Sequence, residues 1–400
     1  MAALSAERHV ELPPIFRVRP PTRHSRRSHW PLVFTVAALL AACSPGRGLE
    51  AVLVLQDIEA GDGPSLLKET THDPTRAAIT FEIDGREREA DLYAPDAAAR
   101  AGMVLVPGVT PRGRGDPQVI AFAETLARAH FEVIVPDLPA MRSLQVTARD
   151  AVPIADATRF LDERGAGRPL GMTAVSFAVG PAIIALDEPA AAGRVDFFIA
   201  IGGYYDLEAL IVYITTGYYR EEESGPLLYR PPRDYAKWIF VLTNSGRIAD
   251  PDDRATLFEM ASRRLDDADA DVSDMASTLG PQGRSVYALI SNGDPSRVPE
   301  LIADLPPEVR GEIERLDLAR RNLAALDTDF LLVHDRNDRI IPASQSVALA
   351  GAVAPGRARL YLVGGLDHAQ VRQLGFGDAV TLLQAVYECL RLRDEASGTD

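Results

Sequence analysis

One serine separates two apolar runs in the stretch Pro169-Leu-Gly-Met-Thr-Ala-Val-Ser176-Phe-Ala-Val-Gly-Pro-Ala-Ile-Ile-Ala-Leu186. The residues two positions before it and two positions after it, Ala174 and Ala178, are both small. This spacing predicts a strand that turns abruptly into a helix and holds Ser176 at the apex in a strained backbone conformation, because strand and helix then pass close together. A buried strand followed by a core helix, with Ser176 as the helix N-cap, would produce the same pattern. The stretch alone leaves both interpretations open.

The composition of the chain is that of a globular protein, with 46% hydrophobic and 25% charged residues among 400. This length suffices for one large domain or for a core domain that carries an insertion. The net charge of −15 argues against nucleic acid as a partner and against electrostatic attachment to anionic lipid.

The first 42 residues differ from the rest in charge, since they contain six Arg and only two acidic residues. Three of these arginines precede the apolar run 31–42, and Cys43 follows it. A basic start, an apolar run of this length and small residues at its end predict a secretory signal peptide over 1–42. Leu40–Cys43 resembles the bacterial lipoprotein box, which implies lipidation of Cys43, and Ser44 after it implies the outer membrane, facing the periplasm. A plain export signal or an uncleaved anchor remains an alternative.

Beyond residue 75 the chain alternates between predicted strands and helices. Asp84-Gly85 lies between two runs of alternating polarity and predicts a hairpin. Later strands are predicted at Met103–Val106, Phe131–Val135, Leu170–Val175, Asp196–Ile201, Phe330–Val333 and Ala358–Val363, and later helices at Gln118–Ala129, Ile154–Glu163, Ala178–Leu186, Ala343–Val353 and Asp378–Leu392. This order predicts an α/β fold with a mostly parallel, doubly wound sheet. In such sheets the binding and catalytic residues lie beyond the carboxyl ends of the strands.

The alternation is interrupted once, over a long interval. We predict a mainly helical cap insertion at 204–326, between two parts of the core at 76–203 and 327–395, and a tether or N-terminal segment at 43–75 with a short helix at Leu49–Ile58. Several tyrosines of the insertion could line an acyl pocket or pack a helical lid: Tyr204, Tyr205, Tyr213, Tyr218 and Tyr219.

A serine nucleophile needs a base that takes its proton and a carboxylate that fixes the base. Of the four histidines after the leader, His368 is the best candidate base, because it follows the last strand on a loop with two glycines. Asp338 is the candidate acid, since it lies several residues beyond a strand. Asp335 and Asp206 are alternatives, and all three aspartates could simply cap loops. For the oxyanion, the expected donors are the N–H groups of Phe177 and Val109.

From about residue 80 to residue 392, apart from the insertion, the chain resembles the α/β-hydrolase superfamily, and in particular bacterial hydrolases akin to dienelactone hydrolases. The order Ser176, Asp338, His368 matches the order of that family's catalytic residues. The segment around Asp338 looks like the family's acid loop, His-Gly-x-x-Asp-x-x-x-Pro, and 133–139 resembles its strand-four segment. The chain departs from the family pattern at four positions: Ala174 and Ala178 replace the glycines around the serine, Pro107 replaces a histidine, and Asp335 replaces a glycine.

These residues together predict a serine hydrolase that cleaves a carboxylic ester or a related small acyl compound through an acyl-enzyme. No metal or organic cofactor is implied, because metal-ligand spacings are absent from the sequence. A lipoprotein that uses this fold only for binding is a different class of function, and an acyltransferase is a third possibility.

Overall fold

A computed structural model describes residues 45–165, 167–222, 224–367, 370–371 and 375–395. The predicted signal peptide, the proposed lipidation site Cys43 and the candidate base His368 lie outside the described residues.

Most strands of the chain belong to one sheet. The strands are β1 (Thr75–Ile83), β2 (Arg86–Ala94), β3 (Ala101–Val106), β4 (Phe131–Pro136), β5 (Leu170–Val175), β6 (Phe197–Ile201), β7 (Tyr218–Tyr219), β8 (Leu228–Tyr229), β9 (Asp329–Asp335), β10 (Ala358–Val363), β11 (Leu366–Asp367) and β12 (Gln370–Val371). The order in the eight-stranded sheet is β1-β2-β4-β3-β5-β6-β9-β10. The pairs β1–β2 and β2–β4 are antiparallel and the others are parallel, which confirms the mostly parallel sheet.

The helices cover both faces of this sheet. They are α1 (Pro45–Ala60), α2 (Leu66–Thr70), α3 (Pro117–Arg128), α4 (Pro139–Arg142), α5 (Ala151–Arg164), α6 (Val179–Ala185), α7 (Leu207–Thr216), α8 (Tyr235–Ser245), α9 (Pro251–Asp266), α10 (Ser273–Thr278), α11 (Pro281–Ile290), α12 (Val298–Ala303), α13 (Pro307–Leu316), α14 (Ser344–Ala352) and α15 (Phe376–Asp394). One face packs against α5, α6 and α14, and the other against α1, α3 and α15. Among the described helices, none combines the length and the apolar character needed to cross a membrane.

The hairpin that opens the sheet forms where the sequence predicts it. Asp84 and Gly85 have φ values of 50° and 76° and join β1 to β2 in a two-residue turn. Both residues tolerate the left-handed region, and a turn with two positive φ angles matches the twist of a hairpin.

The N-terminal segment 45–70 is packed onto the sheet domain. Helix α1 buries Ala51, Val52 and Leu55 against the core. Its Asp57 is fully buried and accepts hydrogen bonds from Lys68 Nζ at 2.6 Å and from Thr125 Oγ1 of α3 at 2.6 Å. Two helices and a buried carboxylate therefore fasten this segment to the sheet. The helix expected at Leu49–Ile58 is confirmed, and it is longer than predicted.

Helices α7–α13 and the short hairpin β7–β8 all lie between β6 and β9 in the chain. Their apolar side chains continue the core of one sheet face, as Leu257, Met260 and Leu289 show by being almost fully buried. This part of the chain is therefore packed onto the sheet domain through a shared core.

Candidate active site

Ser176 lies at the carboxyl end of β5, at the start of the 3-10 turn Ser176–Ala178 that leads into α6. Its φ is +59°, one of four positive φ values among the described residues other than glycine. Such a conformation costs a non-glycine residue about 1–3 kcal/mol, and it persists only where the surrounding structure enforces it. Ser176 is not the N-cap of α6, since that position belongs to Ala178. The strained strand-to-helix turn predicted from the sequence is thus observed, and the N-cap interpretation is wrong.

Small side chains make this turn possible. Ala174 and Ala178 are both fully buried, where strand and helix pass each other. A third small residue, Gly180, was not singled out in the sequence. A Cβ atom on it would lie 1.9 Å from the hydroxyl of Tyr204, so any larger residue would displace that ring. The sequence signal for this contact was the glycine at the second position of α6.

The loop after β3 lies beside the same turn, because β3 and β5 are neighbours in the sheet. A Cβ atom on Gly108 would lie 3.8 Å from the carbonyl oxygen of Val175, the residue before Ser176. Val109 follows in this loop, and both Val109 and Phe177 are partly buried against the core. The two backbone groups expected to bind an oxyanion therefore come from segments that adjoin Ser176.

Asp338 lies on the loop after β9, and its side chain is buried. Its Oδ1 atom accepts hydrogen bonds from the backbone N–H groups of Ile340 at 2.7 Å and Ile341 at 3.1 Å. Two backbone donors stabilise the charged carboxylate and fix its orientation. Strand β9 is two strands from β5, which is about 10 Å at the usual strand spacing. The loops that carry Ser176 and Asp338 therefore lie at the same carboxyl edge of the sheet.

The two alternative acids have local roles. Asp335 ends β9 and accepts a hydrogen bond from the N–H of Asn337 at 2.9 Å; burial raises the pKa of this carboxyl. Asp206 caps α7 by accepting a hydrogen bond from the N–H of Ala209 at 2.8 Å, and burial raises its pKa as well. Asp338 likewise accepts hydrogen bonds from local backbone N–H groups, and the choice among the three stays a prediction.

The histidines considered as the base differ in where they stand relative to the strand ends. His130 follows α3 at the opposite edge of the sheet, where its carbonyl accepts a hydrogen bond from the N–H of Arg100. His334 is fully buried in β9. In the chain, position 368 falls between β11 and β12, which follow β10. In the sheet, β10 is the neighbour of β9. The loop with the candidate base thus starts from the strand next to the one that precedes Asp338.

Residues 230–233, just after β8, hydrogen-bond to the loop after β9 that carries Asp338. The sequence did not predict this contact. The N–H of Arg233 donates to the carbonyl of Arg339 at 2.8 Å, and Nε of Arg339 donates to the carbonyl of Pro231 at 2.8 Å. Arg230 donates to the carbonyl of Arg336 at 3.1 Å. Two arginine side chains and one backbone N–H donate to carbonyl groups here, so no charge pattern in the sequence could reveal the contact.

The tyrosines of 204–326 divide into two groups. Tyr204 and Tyr213 are buried, and burial raises the pKa of both, that of Tyr213 to about 12. Tyr205, Tyr218 and Tyr219 are partly exposed. The first pair packs the helices. Tyr205 and Tyr219 also pack against the core, and the ring of Tyr218 lies 5.2 Å from that of Tyr229. Within the described ranges, no three His, Cys, Asp or Glu side chains are arranged to hold a metal ion.

No protein-family model matches the sequence, and no curated protein matches it. Among solved structures, a Legionella pneumophila protein assigned as a hydrolase by inference matches with a TM-score of 0.50 at 12% identity, over 83% of this chain and 92% of that one. The rice cell wall degrading esterase LipA from Xanthomonas oryzae matches with a TM-score of 0.47 at 14% identity, over 81% and 89%. Dienelactone hydrolase from Anabaena variabilis matches with 0.38 at 14%, over 79% and 97%. With the strand order, the first match shows that the chain has the α/β-hydrolase fold.

Proposed function

We propose that this chain is a serine hydrolase that cleaves a carboxylic ester or a related acyl compound. The observation that carries the proposal is the backbone of Ser176, held at φ +59° at the carboxyl edge of a parallel sheet. Strain of this kind is maintained at functional sites, because it exposes a side chain that an ordinary turn would bury. The α/β-hydrolase fold agrees with the proposal and does not establish it, since one fold serves many functions.

The proposed reaction proceeds through an acyl-enzyme. Ser176 Oγ attacks the carbonyl carbon while His368 takes the hydroxyl proton, and Asp338 holds His368 and stabilises its cation. The N–H groups of Phe177 and Val109 stabilise the oxyanion. His368 then gives the proton to the leaving alkoxide. A water molecule, deprotonated by His368, attacks the acyl-enzyme and releases the acid, which restores the Ser176 hydroxyl.

Covalent labelling separates this function from a binding protein with the same fold. The folded, mature protein is treated with a fluorophosphonate probe, which reacts with activated serines, beside a heat-unfolded sample. We expect one label per chain, located on the peptide that contains Ser176, and none after unfolding. If the folded protein does not label, the non-catalytic binding function is favoured instead.

The acyl length that the enzyme prefers is then measured with a panel of aryl esters of graded acyl length. An acyl pocket formed by the inserted segment would make activity rise with chain length up to an optimum. Flat activity across the panel would argue against such a pocket. Product analysis with an added alcohol distinguishes hydrolysis from acyl transfer.

For the location we propose export, with a lipid anchor on Cys43 in the outer membrane, facing the periplasm. The support is the sequence of the leader, described above. Radioactive palmitate should label the wild-type chain and leave the Cys43→Ser variant unlabelled. Equal labelling of both would exclude Cys43 as the lipid-modified residue.

A further inference from the structure

The proposed mechanism leaves one buried histidine unused. His334 is fully buried in β9, and both of its ring nitrogens have partners. Its Nε2 lies 2.8 Å from the carbonyl oxygen of Ile341, and its Nδ1 lies 2.6 Å from the hydroxyl of Ser346 in α14. A carbonyl can only accept, so Nε2 carries the proton and Nδ1 accepts from the Ser346 hydroxyl. Ser346 therefore fixes the tautomer and the orientation of the ring.

The same ring faces the candidate acid. Nε2 of His334 lies 3.6 Å from Oδ2 of Asp338, so the ring packs beside the carboxylate while its N–H is donated to Ile341. Ile341 is held from two sides, since its N–H donates to Asp338 Oδ1 and its carbonyl accepts from His334. The ring and the carboxylate thus share one residue, Ile341, as a common support. A shift of the ring would displace both the loop and the carboxylate.

We propose that His334, oriented by Ser346, is a positioning residue for Asp338. This inference rests on the proposed function, because it assigns Asp338 the role of acid. His334 acts through Asp338 and touches no substrate. The packing of its ring beside Oδ2 and its bond to Ile341 keep the carboxylate in one orientation, with Oδ1 on the backbone donors. Other ionisable groups around the carboxylate are Asp335 and Arg336 on the same segment and Tyr213 from α7.

The test removes the hydroxyl that orients the ring. In Ser346→Ala the imidazole can change tautomer or rotate, so we expect kcat/KM to fall by about ten- to hundredfold, the range for a misplaced catalytic group. A displaced carboxylate stabilises the protonated base less, so the acid limb of the pH profile should move to lower pH. Ser344→Ala, in the first turn of the same helix and partly exposed, is the matched control and should change neither quantity.

A double-mutant cycle shows whether the effect passes through Asp338. We expect Ser346→Ala to lower kcat/KM in the wild-type background and to change it less than about twofold in the Asp338→Asn background, because coupled residues are not additive. Equal losses in both backgrounds, or a loss without movement of the acid limb, would overturn the positioning role. If Asp338→Asn alone costs nothing, the proposed acid itself fails. If Asp338→Asn lowers kcat/KM strongly while Ser346→Ala leaves it unchanged, only the present inference fails. Thermal unfolding of each variant identifies loss of the folded protein.

Discussion

At the scale of single residues, the account depends on which aspartate supports the base. Asp338 has two backbone donors on one carboxylate oxygen and a histidine ring beside the other. We predict that Asp338→Asn lowers kcat for an activated aryl ester by at least about a thousandfold, because the base then loses the anion that orients it and stabilises its cation. Asp335→Asn, measured in the same assay, should cost less than about tenfold. The reverse order would show that Asp335 is the acid.

The raised pKa of Asp335 predicts that the free energy of unfolding depends on pH. Burial raises the pKa of this carboxyl above its value in the unfolded chain, so the folded state is disfavoured once the group ionises. Its contribution to stability is complete below the unfolded pKa and is lost as pH rises through the raised value. Asp335→Asn, which can still accept from Asn337, should therefore be more stable than wild type at neutral pH. The difference should shrink as pH falls, in denaturant unfolding at several pH values. A difference that grows as pH falls would contradict this sign.

At the scale of elements, Tyr204 connects the turn at Ser176 to the inserted helices. Its ring lies 6.2 Å from that of Phe177, its hydroxyl fills the space beside Gly180, and the same hydroxyl donates to the carbonyl of Leu316 at 3.0 Å. Leu316 ends α13, so this bond satisfies one of the free carbonyls of a helix terminus.

Two tyrosine substitutions test this connection. We predict that Tyr204→Phe lowers the free energy of unfolding by about 1–2 kcal/mol, since it leaves a buried carbonyl without a donor. The hydroxyl of Tyr213 is also buried and has no hydrogen-bond partner among the described residues. Tyr213→Phe should therefore be neutral or stabilising. Denaturant unfolding of both variants measures the contrast, and equal losses would show that the bond to Leu316 contributes nothing.

The elements of the core could be predicted because their signals are local. Leu170–Val175 is an unbroken apolar run with a turn after it, and it forms β5 with the predicted bounds. Asp84-Gly85 supplied the turn chemistry of the first hairpin. The arrangement of the inserted helices could not be predicted, because contacts such as Gly180 with Tyr204 and Arg233 with Arg339 join residues far apart in the chain. For the site, Ser176 and its backbone strain followed from spacing, whereas the support of Asp338 by His334 and Ser346 needed the structure.

At the scale of the whole molecule, helix α1 belongs to the core and ties both ends of the described chain together. Arg393 of α15 is 1% exposed and donates to Glu50 of α1 at 3.0 Å and to the carbonyl of Ala129 at 2.8 Å. Its side chain thus joins α1, α15 and the end of α3.

We predict that Arg393→Met lowers the free energy of unfolding by about 3 kcal/mol, because it leaves Glu50 and a buried carbonyl without their donor. Arg47→Met removes the more exposed pair with Asp394 and should cost less than about 1 kcal/mol. Thermal and denaturant unfolding of both proteins measure the difference. Equal small losses would mean that α1 is not held by this contact.

The central claim is that Ser176 is the nucleophile of a hydrolase. The most direct measurement is steady-state turnover of an activated aryl ester by purified Ser176→Ala, with circular dichroism and thermal unfolding to show that the variant is folded. We predict a fall in kcat of at least about a thousandfold. The free energy of unfolding should change little, since Ser176 is only half-buried and is not the N-cap of α6. If the folded variant keeps most of the wild-type turnover, Ser176 is not the nucleophile and the proposed function is wrong.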